Sequence, residues 1–134
     1  ISAKLPIRGD VVLLAKLING EAPYEPYEGQ LAVASVVVNR MVYLKKDLTS
    51  VVFQRGQFDG VRSKRFKTWT REQYKIAYKA LVGGVTNVPS SVLFFHNKKT
   101  STDTKWVKTL RKYEWKTIGG HTFCHSKHLI KPKA

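Results

Sequence analysis

Cysteine occurs once in these 134 residues, at Cys124, and a lone thiol cannot close an internal disulfide. The fold must then rest on packing, which excludes a disulfide-stapled scaffold. Acidic residues are also scarce: 9 Asp and Glu stand against 24 Lys and Arg, a formal charge of +15. That excess is far more than solubility requires and points to a polyanionic partner, for which nucleic acid, anionic membrane and anionic cell wall all qualify. No apolar run is long enough to span a bilayer, and no internal repeat or low-complexity tract occurs. No charged, then apolar, then small-residue leader pattern opens the chain, which starts at Ile1 and reads as a processed or trimmed piece. No serine sits in a Gly-x-Ser-x-Gly turn and Cys124 falls late in an expected strand, so a Ser or Cys nucleophile has little support.

What is present is enough apolar material for one folded domain: 43% hydrophobic residues, 11% aromatic. We read residues 1–134 as a single catalytic domain, with a lead-in over 1–9 and a basic tail over 126–134. Val11, Leu14, Ala15 and Ile18 recur at helical spacing, which predicts a helix capped by Asp10 and ending near Asn19-Gly20. Residues 31–38 are almost wholly apolar, and periodicity cannot separate a buried helix from a buried strand there. The length favours a helix over 27–43 despite the valines. Leu48 to Phe53 predicts a short apolar turn or helix. Thr70 predicts a helix with Tyr74, Ala77, Tyr78 and Leu81 on its inner side, ended by Gly83-Gly84. A polar loop over 98–105 is expected between a strand at 92–95 and strands at 114–118 and 121–124, the last two joined by Gly119-Gly120. Helices first and a small antiparallel sheet last make the fold class α+β.

Glu21 follows the first helix. The partly negative C-terminal end of a helix disfavours a carboxylate anion, as do apolar surroundings, so the Glu21 pKa is expected to rise. A carboxyl group still protonated near neutral pH is what a general acid requires. A solvated surface Glu is the plain alternative. The loop Arg55-Gly56-Gln57-Phe58-Asp59-Gly60 is a candidate cleft wall. Of the aromatics Tyr24, Tyr27, Phe58, Phe95 and Trp106, which could stack on a bound ligand, Phe58 and Phe95 are favoured. The His121 to His128 stretch offers Cys and His but not the two separated ligand pairs of a structural zinc site, so no metal and no cofactor is expected.

Several blocks resemble the SleB-like cell-wall hydrolases, a family that includes spore-cortex-lytic enzymes and related phage endolysins. They are Leu13-Leu14-Ala15-Lys16-Leu17-Ile18-Asn19-Gly20-Glu21-Ala22 with Glu25-Pro26-Tyr27-Glu28-Gly29-Gln30, then Val36-Val37-Val38-Asn39-Arg40. Gln57-Phe58, Phe94-Phe95-His96-Asn97 and Ile118-Gly119-Gly120-His121-Thr122-Phe123 follow. Members carry Arg-Gly where this chain has Pro23-Tyr24. The resemblance implies a lysozyme-like fold and a lytic transglycosylase that cleaves peptidoglycan glycan strands with Glu21 as sole catalytic carboxylate. Tyr24, Gln57, Phe58, Phe95, Asn97 and His121 are the substrate-binding candidates that accompany it. Peptidoglycan and anionic envelope polymers are then the expected partners of a monomer acting at the bacterial cell wall, periplasmic or extracellular. The alternatives are a hydrolytic muramidase that enlists Glu25, Glu28 or Asp59 as a second carboxylate, and a basic nucleic-acid-binding module.

Overall fold

The computed structural model describes residues 7–97 and 105–130. Helices α1 (Gly9–Glu21), α2 (Tyr27–Leu44) and α3 (Leu48–Val52) lead, followed by 3-10 turns at Asp59–Arg62 and Lys64–Lys67 and by α4 (Arg71–Leu81). Strand β1 (Val92–Asn97), helix α5 (Lys105–Arg111) and strands β2 (Glu114–Ile118) and β3 (His121–His125) complete an α+β chain. The sheet is antiparallel with β3 in the centre, in the order β1-β3-β2. Gly119, at φ 59°, turns β2 into β3 in a left-handed conformation that glycine takes without strain.

Helix α2 is the middle layer. Leu31, Ala34 and Val37 join the larger core with α1, α3, Phe58 and α4, while Ala32, Val33 and Val36 face Val88, Val92 and Phe123 of the sheet side. A helix apolar on all sides is buried on all sides. That packing overrides the strand preference of Val36, Val37 and Val38. The polar residues of α2 stitch it to the start of β1 and the turn before it: Asn39 Nδ2 donates to the Pro89 and Val92 carbonyls at 2.9 and 3.1 Å, and Arg40 donates to that of Leu93 at 3.2 Å. Arg40 is buried, and its guanidinium lies 5.3 Å from the centroid of Phe94.

Several expectations need correction. Asp10 is not the cap of α1; the helix starts one residue earlier, and Asp10 sits in its first turn bonded to the Val11 N–H and to Arg8. Nor does Gly20 stop α1. It lies inside the helix because a Cβ there would fall 2.6 Å from the Gly60 carbonyl oxygen, so this glycine permits a close approach of two backbones. Thr70 caps α4 in a full capping box with Gln73, but the buried face is Gln73, Ile76, Ala77 and Ala80, with Tyr78 outside. Tyr74 is held at the edge, its hydroxyl accepting from Arg8 N. Most of the expected polar loop, 98–104, lies outside the described residues, and Lys105 already begins α5. The tail is packed at its start: Ser126 is buried and its N–H donates to Ser91 O at 2.8 Å, while 131–134 lie outside the described residues.

Phe58 is 6% exposed and belongs to the core, its ring 6.0 Å from that of Phe95, so a sugar-stacking role is corrected to a packing role. Its glycine-flanked loop turns the ring inwards. Phe58→Ala is expected to cost about 3–5 kcal/mol, read as a large fall in denaturation midpoint; an unchanged midpoint would contradict the burial.

Candidate active site

The end of α1 is fastened before any chemistry is placed on it. Asn19 Nδ2 donates to the Arg65 and Thr68 carbonyls at 2.8 and 3.2 Å, and its Oδ1 accepts from Gln73 Nε2 at 2.9 Å. One turn of α1 is thereby tied to both the second 3-10 turn and α4. On the next residue Gly20 meets Gly60, and Glu21 follows as the last residue of the helix. The packing is just as tight from the other side. A Cβ on Gly60 would lie 2.8 Å from the Gly20 carbonyl carbon and 3.0 Å from Glu21 Cγ and Cδ, so only glycine lets the 3-10 turn close over the carboxyl.

Closing that turn strips solvent from Glu21. Burial raises its pKa from the usual 4.5 to about 7, opposed by the Gly60 backbone N–H, which favours the anion, and aided by the negative charge of Asp59. The partly negative helix end acts in the same direction. Asp59, by contrast, is open to solvent and pairs with Arg62 at 3.4 Å.

Glu21 lies in a cleft of about 600 Å³ lined by Gly20, Gly56, Gln57, Asp59, Gly60 and Ser63 on the side of the 3-10 turns. Phe95, His96 and Asn97 of β1, Trp106 and Val107 of α5 and His121 of β3 form the rest. The register puts Asn97 opposite His121, and Phe95 opposite Phe123. Phe95 packs edge-on to His121 at 5.2 Å. His121 is buried; burial lowers its pKa, against the pull of Glu25 and of the Glu21 backbone. Both ring nitrogens of His96 are buried with no hydrogen-bond partner among the described residues. No group of three or more His, Cys, Asp or Glu side chains is placed to hold a metal among the described residues.

A family model described as cell wall hydrolase matches residues 24–124. The chain belongs to the cell wall hydrolase family. Similar relatives include spore cortex-lytic enzymes of Bacillus cereus, 31% identical over 119 residues, and of Bacillus subtilis, 30% identical over 129. These alignments cover 87% and 92% of this chain but only 44% and 41% of the relatives, so the chain spans less than half their length. Among solved structures, the catalytic domain of the germination-specific lytic transglycosylase SleB from Bacillus anthracis superimposes with a TM-score of 0.75 at 28% identity. That match covers 92% of this chain and 99% of the other, and the Bacillus cereus SleB catalytic domain gives 0.73. This cell wall hydrolase therefore shares its fold with whole catalytic domains.

Of the residues singled out by sequence, the structure gathers Glu21, Gln57, Phe95, Asn97 and His121 around one cleft. It leaves Tyr24 and Phe58 outside its lining. Tyr24 is 83% exposed and turned to Arg65, whose guanidinium sits 4.7 Å from its ring centroid and hydrogen-bonds its hydroxyl. Standing three residues from the acid in sequence did not bring Tyr24 into the cleft. Sequence reasoning gave no weight to Gly60, whose role depends on a contact with α1, or to His96. Trp106 had been one stacking candidate among five, and it is the half-exposed aromatic of the cleft.

The raised Glu21 pKa has a cost in stability. Below the usual 4.5 the group is neutral in both folded and unfolded chains; as pH rises towards 7 the unfolded chain ionises first and the folded state loses ground. Glu21→Gln, neutral at every pH, is therefore expected to be more stable than the parent at pH 8, by on the order of 1–3 kcal/mol, with the difference vanishing near pH 4. Denaturant melts at the two pH values check this, and equal stabilities at pH 8 would contradict the desolvation of Glu21.

Proposed function

We propose that this cell wall hydrolase acts on peptidoglycan as a lytic transglycosylase, breaking the bond between N-acetylmuramic acid and N-acetylglucosamine with Glu21 as its single acid and base. The observation that carries the reading is a half-buried carboxyl at the wall of an open cleft, packed against Gly60 so that desolvation pushes its pKa up to about 7. Family membership rests on residues 24–124, which begin after Glu21, so the role of Glu21 is argued from its surroundings alone.

In this mechanism protonated Glu21 gives its proton to the glycosidic oxygen as the bond from the muramyl C1 breaks. The resulting carboxylate then takes the proton of the same sugar's 6-hydroxyl as that oxygen bonds to C1 and closes an anhydro ring. The acid is thereby returned to its starting state. A nucleophile on the same sugar has the advantage of proximity and needs no second carboxylate to activate water. On this reading Gln57 and Asn97 hydrogen-bond the glycan, His121 holds the end of α1, and Phe95 and Trp106 pack on the sugar. A hydrolytic reading keeps one supporting observation: Asp59 also lines the cleft. The large positive charge suits anionic polymers of the envelope.

Glu21→Gln preserves shape but cannot transfer the proton, so activity on purified walls is expected to fall about 10²–10⁴-fold or more with the fold intact. Mass spectrometry of the parent enzyme's products should find anhydro-muramic ends, one water lighter than reducing ends. Reducing ends alone would make water the nucleophile and turn attention to Asp59.

A further inference from the structure

Glu25 is the acidic residue next along the chain after Glu21, yet it does not line the cleft. Its side chain, 16% exposed, points into the turn between β2 and β3, where Oε1 accepts from Gly120 N at 2.9 Å and lies 3.3 Å from His121 Nδ1. The turn is shaped around this carboxylate. A Cβ on Gly119 would stand 2.0 Å from Oε2, and one on Gly120 2.7 Å from Oε1.

His121 carries the contact onward: its buried imidazole lines the cleft together with Glu21, and the Glu21 backbone acts on it. The neighbouring Ala22 carbonyl accepts from Gln30 Nε2 at 3.0 Å. The final carbonyls of a helix have no partner within the helix. Just past this helix end the Ala22 carbonyl is taken by a side chain of α2, and His121 of β3 stands beside Glu21, so α1 ends in a socket built by other elements. Glu25, 3.3 Å from His121 Nδ1, keeps the ring turned towards the end of α1.

We propose that Glu25 is a positioning residue: by holding His121 and the Gly119-Gly120 turn, it fixes the backbone at Glu21 and so the place of the acid in the cleft. This deepens the reading above and rests on Glu21 as the acid. It also removes Glu25 from the candidates for a second catalytic carboxylate, since an oxygen bound to a backbone N–H and facing an imidazole is not free to activate water. A displacement of about 1 Å at a reacting group can cost about 10²-fold in rate.

The test compares Glu25→Gln with Glu25→Ala, His121→Ala and the Glu25→Ala/His121→Ala pair on purified peptidoglycan. Glu25→Ala is expected to lower turnover about 10–100-fold with KM within about twofold, and the product ends should not change. Glu25→Gln keeps an acceptor for Gly120 N–H and should recover to within about fivefold of the parent. The double variant should be no more than about twofold slower than the slower single one, because both residues act through one chain of contacts. Glu25→Gln as inactive as Glu25→Ala, with azide restoring turnover, would make Glu25 a second catalytic carboxylate and overturn the proposal; full activity in Glu25→Ala would overturn it too. A second readout does not use activity: NMR signals of the Glu21 amide and carboxyl and of the His121 ring should move in Glu25→Ala, and unmoved signals would overturn the positioning role. Should Glu25→Ala not fold, the same spectra and the azide test on Glu25→Gln decide. Full activity in Glu21→Gln would sink the transglycosylase reading alone, leaving the spectra to judge Glu25.

Discussion

Burial of the middle of α2, residues 29–37, is the constraint on which the other elements depend. A helix with Leu31, Ala34 and Val37 on one side and Ala32, Val33 and Val36 on the other must be covered twice, by the α1, α3 and α4 layer and by the sheet. Each covering layer is then held at a fixed distance from the other, and the cleft is the gap left where they meet at one end. Polar residues of α2 act at the same seam: Asn39 and Arg40 bind the carbonyls that lead into β1, and Gln30 binds the one after Glu21. The rigid middle layer thus sets the position of both walls.

Within that frame the Gly20 and Gly60 contact decides the chemistry. A methyl group on either glycine would push the 3-10 turn off α1 and admit water to Glu21. Desolvation then outweighs the single hydrogen bond that favours the anion, and the net result is a carboxyl that ionises near neutrality. The cost of that desolvation falls on the stability of the fold at high pH, as is common where function strains a site. Asn19 and its bonds to the second 3-10 turn and to α4 are what hold the strained arrangement closed.

Much of this was legible in the sequence where one local signal dominated. Thr70 announced the start of α4, Gly119-Gly120 the hairpin, and the apolar period of α1 the helix that ends in the acid. What failed did so because the deciding contact is distant in sequence. Gly20 reads as a helix stop until Gly60 is seen against it, and Phe58 reads as a cleft residue until its loop folds the ring onto Phe95. Tyr24 is near Glu21 in sequence, but Arg65 draws it to the outer surface. Helix α5 escaped notice because its two buried residues, Val107 and Leu110, are too few to show a period among lysines. The same limit applies to Glu25: as a residue type it suggests catalysis, and only its partners in the hairpin show it engaged elsewhere.

The central claim is that packing, chiefly, holds a carboxyl of α1 protonated near neutral pH. Titrating the Glu21 side-chain carboxyl by carbon-13 NMR on the intact protein measures it directly. The account predicts a midpoint at about pH 7; a midpoint near the ordinary 4.5 would show that water reaches the group and would contradict it.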